Sequence, residues 1–238
     1  MATSADVWLV LPTYDEAENL EPLVVAAGKA LPAGSRILVV DDDSPDGTGR
    51  IADRLAAETG DVEALHHGRK QGLGPAYVAG FRRALAGGAR LVIQMDADFS
   101  HDPGDIPRLL AASERADLVI GSRYVEGGGV ADWGALRRTI SRGGSAYARG
   151  VLGVDVRDLT GGFKVIRRAV LEAIDLDSIS SLGYAFQVEV TYRAIRAGFR
   201  VTEVPIRFRD RRVGESKMSG AIVLEAALGV PRMRIRRR

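Results

Sequence analysis

Short apolar runs alternate with helix-like stretches through the first half of the chain, and this alternation constrains the fold more than any other feature. The apolar runs predict strands at 7–14, 37–44, 62–67, 89–98 and 117–124. Helices are predicted between them at 16–31, 48–59, 75–87 and after Pro103. Strands that are apolar along their whole length and separated by helices are typical of a parallel sheet covered on both faces. We therefore expect an α/β fold.

The second half is less regular, but nothing in it marks a domain boundary. The predicted elements are a glycine loop at 127–129, a basic helix at 136–152, a turn and short strand within 159–168, a helix at 183–197 and a strand at 201–210. Neither a linker nor an internal repeat interrupts the sequence, and 238 residues suffice for one large core. We expect a single domain over residues 1–238.

Composition narrows the class of protein. The chain has no cysteine, which excludes disulfides and thiolate chemistry. The N-terminus does not resemble a signal peptide, and no apolar run reaches the roughly 18 residues of a membrane span. Net charge is only +2, but arginines concentrate in residues 137–168 and in the final PRMRIRRR. Two interpretations of this tail are open, a solvated basic segment and attraction to an anionic membrane surface.

Polar residues collect at the predicted carboxyl ends of the strands, which is where ligands bind in open α/β sheets. These ends read PTYDE, DDDSPDGT, QGLGPAY, MDADFS and GSRY. None of them contains the GxGxxG fingerprint of dinucleotide-binding proteins or the GxxxxGK[ST] motif of P-loop proteins. Dehydrogenases and P-loop kinases are therefore disfavoured.

Two carboxylates one residue apart give the clearest chemical signal. Asp96 and Asp98 end the buried run LVIQMDAD, and Ser100 and His101 follow. Such a pair suits a hard divalent cation that keeps open positions for phosphate oxygens. Because a hard cation prefers oxygen, we do not count His101 among the ligands. The pattern predicts metal-assisted chemistry on a phosphorylated substrate.

The acids after the second strand allow two roles. At Asp42 we expect a contact to the ribose or base of a nucleotide, because this residue lies at the edge of the predicted sheet. Capping of the next helix and a turn at Pro45–Gly47 are the alternative roles for this segment.

Basic residues form two sets that point to phosphate. Arg123 ends the fifth strand, and Arg137 and Ser141 follow in the basic helix. Guanidinium groups suit phosphate, although pairing with nearby carboxylates is the alternative. The second set, which includes Arg211 and Lys217, lies in the loop-like segment RFRDRRVGESK. We expect this segment to close over a bound phosphate, an exposed basic loop being the alternative.

Taken together, these motifs resemble the dolichol- and polyprenol-phosphate mannosyltransferases of the inverting glycosyltransferase family 2, which have a GT-A fold. The matching segments span nearly the whole chain in order. They are LPTYDEAENL, DDDSPDGT, QGLGPAY, MDADFSHDP, GSRY, Trp133 with RRTISRG, DLTGGFKVIRR, GYAFQVE and VPIRFRDRRVGESK. The resemblance implies a Rossmann-like domain with a mostly parallel sheet. It divides the chain into a nucleotide-binding half (1–125), an acceptor-binding half (126–218) and a C-terminal amphipathic and basic segment (219–238).

The resemblance also implies residue roles. The guanine nucleoside would be held by Pro12, Tyr14, Glu16, Val40 and Asp42. The diphosphate would lie at Asp96, Ala97 and Asp98, with Mg2+ or Mn2+ held by Asp96, Asp98 and Ser100. Arg123, Arg137 and Ser141 would receive the lipid phosphate, while Arg211 and Lys217 would hold the nucleotide's phosphates. The residues that the resemblance places at the reacting groups are Asp98, Arg123 and Arg211.

Two departures from the family accompany these matches. Position 15 is Asp where Asn is commoner, and the C-terminal transmembrane helices of some relatives are missing from this sequence. The expected reaction transfers mannose from GDP-mannose to a polyprenyl monophosphate with inversion and without a strong general base. Two alternatives are a polyprenyl-phosphate glycosyltransferase that uses UDP-glucose or a UDP-aminosugar, and a non-catalytic nucleotide-binding module recruited to membranes.

The lipid acceptor implies work at a membrane. We expect a peripheral protein on the cytoplasmic face, held there by an interfacial helix at 219–231, by the basic tail and by an integral-membrane partner protein. Nucleic-acid binding is disfavoured, because the basic residues lack the interleaved aromatic side chains of a stacking platform.

Overall fold

The structure, a computed structural model, describes residues 6–131, 134–179, 181, 183–209 and 229–234, with the backbone alone described at 135–137 and 184. The strands are β1 (Val7–Thr13), β2 (Arg36–Asp41), β3 (Val62–His66), β4 (Leu91–Gln94), β5 (Leu118–Ser122), β6 (Gly129–Val130), β7 (Lys164–Arg167), β8 (Val201–Pro205) and β9 (Arg207–Phe208). The helices are α1 (Ala17–Ala30), α2 (Thr48–Glu58), α3 (Leu73–Ala86), α4 (Ile106–Ala112), α5 (Ala135–Leu152), α6 (Arg168–Ala173) and α7 (Gly183–Arg196).

A seven-stranded sheet with the order β3-β2-β1-β4-β7-β5-β8 organises the domain. β7 is inserted antiparallel between β4 and β5, whereas the β1–β2, β2–β3, β1–β4 and β5–β8 pairs are parallel. A small second sheet pairs β6 with β9. The prediction of a single α/β domain with a mostly parallel sheet is confirmed.

Both faces of the large sheet are covered by helices, because successive side chains of a strand point to opposite faces. On one face, Val10 and Leu38 pack with residues of α3 and α7. On the other, Leu9 and Ile37 pack with residues of α1, α2 and α4. The nearly continuous apolar sequence of these strands follows from this two-sided burial.

The order of the strands places a crevice between β1 and β4. The chain moves outward from β1 to β2 and β3, then returns to β4 on the other side of β1. Connections that leave in opposite directions create a cleft at the carboxyl ends of the two strands, and this is the usual ligand position in such sheets. Helix α3 packs closely against the middle of β1, since a Cβ at Gly80 would lie 2.4 Å from Cγ1 of Val10.

Three differences from the predicted elements concern segments near the polar strand ends. The strand expected at 89–98 ends at Gln94, so Asp96 and Asp98 lie in the loop that follows it. The strand expected at 201–210 is divided at Ile206 into β8 and β9. The glycine loop expected at 127–129 ends in β6, because Gly129 pairs with the start of β9.

The C-terminal segment is described only at residues 229–234, which are helical. Val230 is buried in the same core cluster as Ala148 and Leu152 of α5, so this end of the predicted interfacial segment packs against the protein instead of facing outward. The remaining parts of the prediction, 219–228 and 235–238, lie outside the described residues. Within the described part of the chain, no helix combines the length and apolarity that crossing a bilayer requires.

Candidate active site

The loop after β4 carries the predicted metal ligands Asp98 and Ser100. Oδ1 of Asp98 accepts a hydrogen bond from the Ser100 N–H at 3.0 Å, and both residues are buried. The Ser100 hydroxyl is a buried oxygen for which the described residues supply no hydrogen-bond partner. Buried polar atoms are nearly always satisfied in folded proteins. A hydroxyl in this state beside a carboxylate fits the oxygen ligand set of Mg2+ or Mn2+.

The predicted site differs from a dedicated metal cage. Among the residues that the structure describes, no group of three or more histidine, cysteine or acidic side chains is placed to hold a metal ion. Two carboxylates and a hydroxyl would leave several positions for water and substrate phosphate, which is the usual arrangement for Mg2+ bound together with a phosphorylated substrate.

Asp96 is held in place from the core by Tyr77. The Tyr77 hydroxyl donates to Oδ1 of Asp96 at 2.8 Å, and the tyrosine ring is stacked on Phe186 of α7 with ring centroids 5.6 Å apart. Burial, reinforced by the charge of Asp96, raises the pKa of Tyr77 well above its ordinary value. The phenol therefore stays protonated and remains a donor to Asp96. Gly162 closes the other side, because a Cβ there would lie 3.0 Å from Oδ2 of Asp96.

His101 supports the same loop as a neutral ring. It is buried, and its Nδ1 accepts the Asp96 N–H at 3.4 Å. Burial lowers the pKa of His101 despite the nearby Asp96 and Asp98 carboxylates, which oppose the shift. The ring packs between Phe163 and Phe208, with centroid distances of 5.2 Å to each.

The segment expected to close over the phosphates begins next to this loop. The Arg209 N–H donates to the Ser100 carbonyl at 3.1 Å, so the chain leaves β9 beside the Asp98–Ser100 turn. Arg211 and Lys217 lie outside the described residues.

The predicted nucleoside residues lie within the carboxyl ends of β1 and β2 or directly after them, and the two strands are paired neighbours. Pro12 is in register with Val40, and both are buried. Val40 is 0% exposed and Ala97 is 3% exposed, with both side chains in the core clusters. A ligand contact at either residue is therefore confined to its main chain. Glu16 is buried and accepts a hydrogen bond from Nδ2 of Asn19 at 2.8 Å.

Asp42 fixes a loop instead of capping a helix. Its carboxylate accepts the N–H groups of Gln71 and Gly72 at 2.9 and 2.7 Å and lies 2.9 Å from Nδ1 of His67. Through these contacts it holds the loop that precedes α3 against the end of β2. At the start of α2 the acid that bonds to the main chain is Asp46, which accepts the Thr48 N–H at 2.9 Å.

The loop that Asp42 holds reaches the end of β1. Nζ of Lys70 lies 3.4 Å from the ring centroid of Tyr14, a cation–π contact. Lys70 had no place among the predicted site residues, since nothing in the segment GRKQG distinguishes it from an ordinary loop lysine.

Arg123 is buried and paired with a carboxylate. Its Nε and Nη2 donate to the two oxygens of Asp158 at 2.7 and 2.6 Å, and Nη2 also donates to Thr160 at 2.8 Å. Arg123 is 6% exposed and Asp158 is 0% exposed. For Arg123 the structure shows the stated alternative, pairing with a carboxylate, and this carboxylate, Asp158, comes from a distant part of the sequence. A buried arginine needs a charged partner, so Arg123 was the feature of the sequence that indicated a carboxylate nearby.

The structure brings the predicted acceptor residues Arg123 and Ser141 together. The Tyr124 hydroxyl donates to the Ser141 hydroxyl at 2.6 Å, and the Arg123 guanidinium lies 5.1 Å from the Tyr124 ring centroid. Arg137 lies on the same helix as Ser141, but its side chain is outside the described part of the structure.

Lys164 is a second buried cation near the site, and the sequence-based prediction did not include it. Nζ donates to the carbonyl and to Oε1 of Gln187 at 2.8 and 2.9 Å. Burial lowers the pKa of Lys164 from 10.5 to about 7, although Asp158 and Asp96 oppose the shift. Nothing in the segment GGFKVIRR distinguishes a buried lysine from an exposed one.

Comparisons with known proteins identify the family. Residues 8–175 match the model of glycosyl transferase family 2. An undecaprenyl-phosphate mannosyltransferase from Micrococcus luteus is 51% identical over 226 residues, which cover 95% of this chain and 93% of the relative. A polyprenol monophosphomannose synthase from Mycolicibacterium smegmatis is 48% identical over 232 residues, which cover 97% of this chain and 87% of the relative.

Solved structures confirm the fold. A glucosyl-3-phosphoglycerate synthase from Mycobacterium tuberculosis, in complex with Mn2+, UDP and glucosyl-3-phosphoglycerate, matches with a TM-score of 0.72 and 18% identity. The match covers 96% of this chain and 80% of that structure. The extent of the family match and the identity to both relatives make this chain a glycosyltransferase that belongs to family 2, in the branch of the polyprenyl-phosphate mannosyltransferases.

Proposed function

We propose that this protein transfers mannose from GDP-mannose to a polyprenyl monophosphate, giving polyprenyl-phosphate mannose and GDP with inversion at the anomeric carbon. The observation that carries the proposal is the similarity, over 95% and 97% of the chain, to two relatives whose names state mannosyl transfer to polyprenyl phosphates. The clustering of Asp96, Asp98, Arg123 and Ser141 at one edge of the sheet supports it.

Asp98 is proposed as the principal ligand of Mg2+ or Mn2+, with Asp96 and the Ser100 hydroxyl beside it. When bound, the cation would neutralise charge that builds on the diphosphate as the sugar leaves. Tyr77 keeps Asp96 oriented through its hydroxyl, which donates at 2.8 Å. We propose that Arg211 and Lys217 hold the nucleotide's phosphates from the segment after Arg209.

Arg123 and Ser141 are proposed to receive the acceptor phosphate, with Arg137 from the same helix as Ser141. Asp158 accepts hydrogen bonds from Nε and Nη2 of Arg123 and so fixes the plane of the guanidinium. A phosphate monoester is largely ionised near neutral pH, because its second pKa is about 6. One of its oxygens forms the bond to the anomeric carbon while the bond to the diphosphate oxygen breaks on the opposite face. No strong general base is required, and we assign no such role to His101, which is buried and neutral.

The nucleoside is proposed to lie over the ends of β1 and β2, against Tyr14, Glu16 and the main chain at Pro12 and Val40. Asp42 would act here through the loop that it holds, and Lys70 of that loop already covers the Tyr14 ring.

We place the reaction at the cytoplasmic face of a membrane. A long polyprenyl chain stays in the bilayer, whereas a nucleotide sugar is charged and water-soluble, so the two substrates meet at the surface. An integral-membrane partner protein is part of this proposal, because one interfacial element binds a membrane only weakly.

A donor panel tests the function directly. The purified protein is incubated with Mg2+ and polyprenyl phosphate in vesicles, and label is followed from GDP-mannose, UDP-glucose or UDP-N-acetylglucosamine into the lipid phase. We expect GDP-mannose to be the preferred donor and the product to be the β-anomer by NMR. Preference for a UDP-sugar would refute the mannose assignment, and GDP binding without turnover would favour a non-catalytic module.

A further inference from the structure

Phe208 of β9 contacts two separate parts of the proposed active site. Its ring centroid lies 5.2 Å from that of His101, and the two rings meet edge to face at an interplanar angle of 80°. The same ring lies 5.4 Å from Cζ of Arg123, a distance at which a guanidinium is attracted to an aromatic ring. One side chain therefore joins the loop proposed to hold the metal to the arginine proposed to receive the acceptor phosphate.

The contact on the donor side is closely packed. His101 is buried, and its Nδ1 accepts the Asp96 N–H at 3.4 Å. The His101 ring also packs against Phe163, with centroids 5.2 Å apart. Because closely packed interiors transmit displacements, a shift of the loop 96–101 when it binds a ligand moves the His101 ring against Phe208.

The contact on the acceptor side helps to place a charge. Asp158 fixes the plane of the Arg123 guanidinium, and the Phe208 ring lies against it. Burial is the main cause of the lowered pKa of His101, and the charge of Arg123 adds to the effect. Arg123 and His101 are therefore close enough in space to influence each other.

The main chain of β9 is also bonded to both sides. The Arg209 N–H donates to the Ser100 carbonyl at 3.1 Å, which joins the end of β9 to the donor loop. The Ala131 N–H donates to the Phe208 carbonyl at 2.8 Å, and β6 pairs with β9 shortly after the chain leaves Arg123. The backbone of β9 thus connects the same two regions as the Phe208 side chain.

We propose that Phe208 is a positioning residue that couples the two substrate sites, so that a metal and a nucleoside diphosphate bound at the loop 96–101 align Arg123 for the acceptor phosphate. Coupling between two sites is reciprocal, so each substrate strengthens the binding of the other by the same factor. The inference rests on the proposed function, because it takes the loop 96–101 as the donor site and Arg123 as the acceptor site.

Calorimetric binding to the full chain tests the coupling. The acceptor probe is a short, water-soluble prenyl phosphate, and its Kd is measured with and without saturating GDP-2-deoxy-2-fluoromannose and Mg2+. The fluorine withdraws electrons from the anomeric carbon and slows transfer, so binding is measured without turnover. We expect the donor to tighten acceptor binding by wild type about fivefold or more, as is usual for coupled sites.

Two substitutions separate the ring from the rest of the side chain. In Phe208→Leu, which lacks the ring, the donor should tighten acceptor binding less than about twofold. Its Kd for the donor alone should stay within about twofold of wild type, which also shows that the variant is folded. Phe208→Tyr keeps the ring and should restore the coupling. The matched control is Phe199→Leu, a partly buried phenylalanine at the amino ends of the parallel strands, which should couple like wild type.

Coupling in Phe208→Leu as strong as in wild type would overturn the inference. Wild type whose acceptor affinity does not depend on the donor would overturn it as well, and so would an equal loss of coupling in Phe199→Leu. If Phe208→Leu does not fold, Phe208→Met carries the same comparison, because its flexible side chain fills irregular gaps.

Failure of the proposed function has a different signature. Wild type would then neither bind the prenyl phosphate nor transfer mannose to it, and the inference would fail with the proposed function. Mannosyl transfer by wild type, together with coupling that Phe208→Leu leaves unchanged, would refute the role of Phe208 alone.

Discussion

A buried cation lies at the end of β5 and another at the start of β7, and the two differ in the charge of their hydrogen-bond partners. Arg123, directly after β5, is held by both oxygens of Asp158. Lys164, the first residue of β7, donates to the carbonyl and side-chain oxygen of Gln187, which are uncharged. Burial without a contacting carboxylate lowers the pKa of Lys164 to about 7.

Because of this difference, Arg123 carries a permanent charge, whereas the charge of Lys164 depends on pH. A guanidinium remains protonated in proteins, and a bidentate carboxylate fixes its plane. An ammonium loses its proton readily when it is buried, so the charge of Lys164 depends on pH near neutrality. Arg123 is therefore the better candidate for binding the acceptor phosphate. Lys164 should instead make the free energy of unfolding depend on pH.

The largest expected effect comes from removing the partner of Arg123. Asp158→Asn leaves a buried guanidinium without its carboxylate, so we expect the free energy of unfolding to fall by about 3–5 kcal/mol. Urea denaturation measures this loss. As a control, Asp105→Asn breaks the more exposed ion pair with Arg108 and should cost less than about 1 kcal/mol. If the two variants lose similar free energy, Arg123 and Asp158 do not form the tight buried pair described above.

The second prediction concerns Lys164. Its pKa is about 7 in the folded protein and 10.5 when exposed, so between these values the unfolded chain binds more protons. The destabilisation by the buried charge is complete below about pH 7 and is relieved as pH rises towards 10.5. In this window the free energy of unfolding should therefore gain a contribution of about 1 kcal/mol per pH unit from this residue.

Lys164→Met should remove this contribution while the protein stays folded, because both acceptor atoms of Gln187 keep another donor. Oε1 also accepts from Gln94, and the carbonyl also accepts from Thr191. Denaturation at pH 7, 8 and 9 gives the slope, and Lys29→Met on the exposed surface of α1 is the control. A wild-type slope that persists in Lys164→Met would show that the lysine is not the titrating group.

The third prediction concerns Tyr77, a neutral donor to a carboxylate. Tyr77→Phe keeps the stacked ring but removes the hydrogen bond to Asp96, which should cost about 1.5–3 kcal/mol because the acceptor is charged. We also expect kcat for mannosyl transfer to fall, since Asp96 loses its orientation. Thr191→Val, which removes a buried hydroxyl from α7 away from Asp96, serves as the control for stability. Unchanged kcat in Tyr77→Phe would argue against an orienting role.

Much of the fold could be predicted from the sequence, because two-sided burial makes the central strands apolar throughout. The end of β4 could not. Met95 and Ala97 continue the apolar pattern because they pack in the core, but the ladder itself ends at Gln94. The antiparallel direction of β7 was also hidden, since an apolar strand looks the same in either direction.

The candidate site shows a similar division. Asp96 and Asp98 could be located because acids at the end of an apolar run stand out. Asp158 and Tyr77 could not be assigned roles, because their partners are distant in sequence and the contacts depend on tertiary packing. Arg211, Lys217 and the side chain of Arg137 remain predictions, since they lie outside the described residues.

The most direct test of the central claim is transfer of labelled mannose from GDP-mannose to polyprenyl phosphate by wild type and Asp98→Ala. Asp102→Ala is the matched control, since this exposed acid of the same loop caps the Gly104 N–H. We predict metal-dependent transfer by wild type and Asp102→Ala and no detectable transfer by Asp98→Ala. Undiminished turnover by Asp98→Ala would contradict the assignment of Asp98 to the metal and the diphosphate.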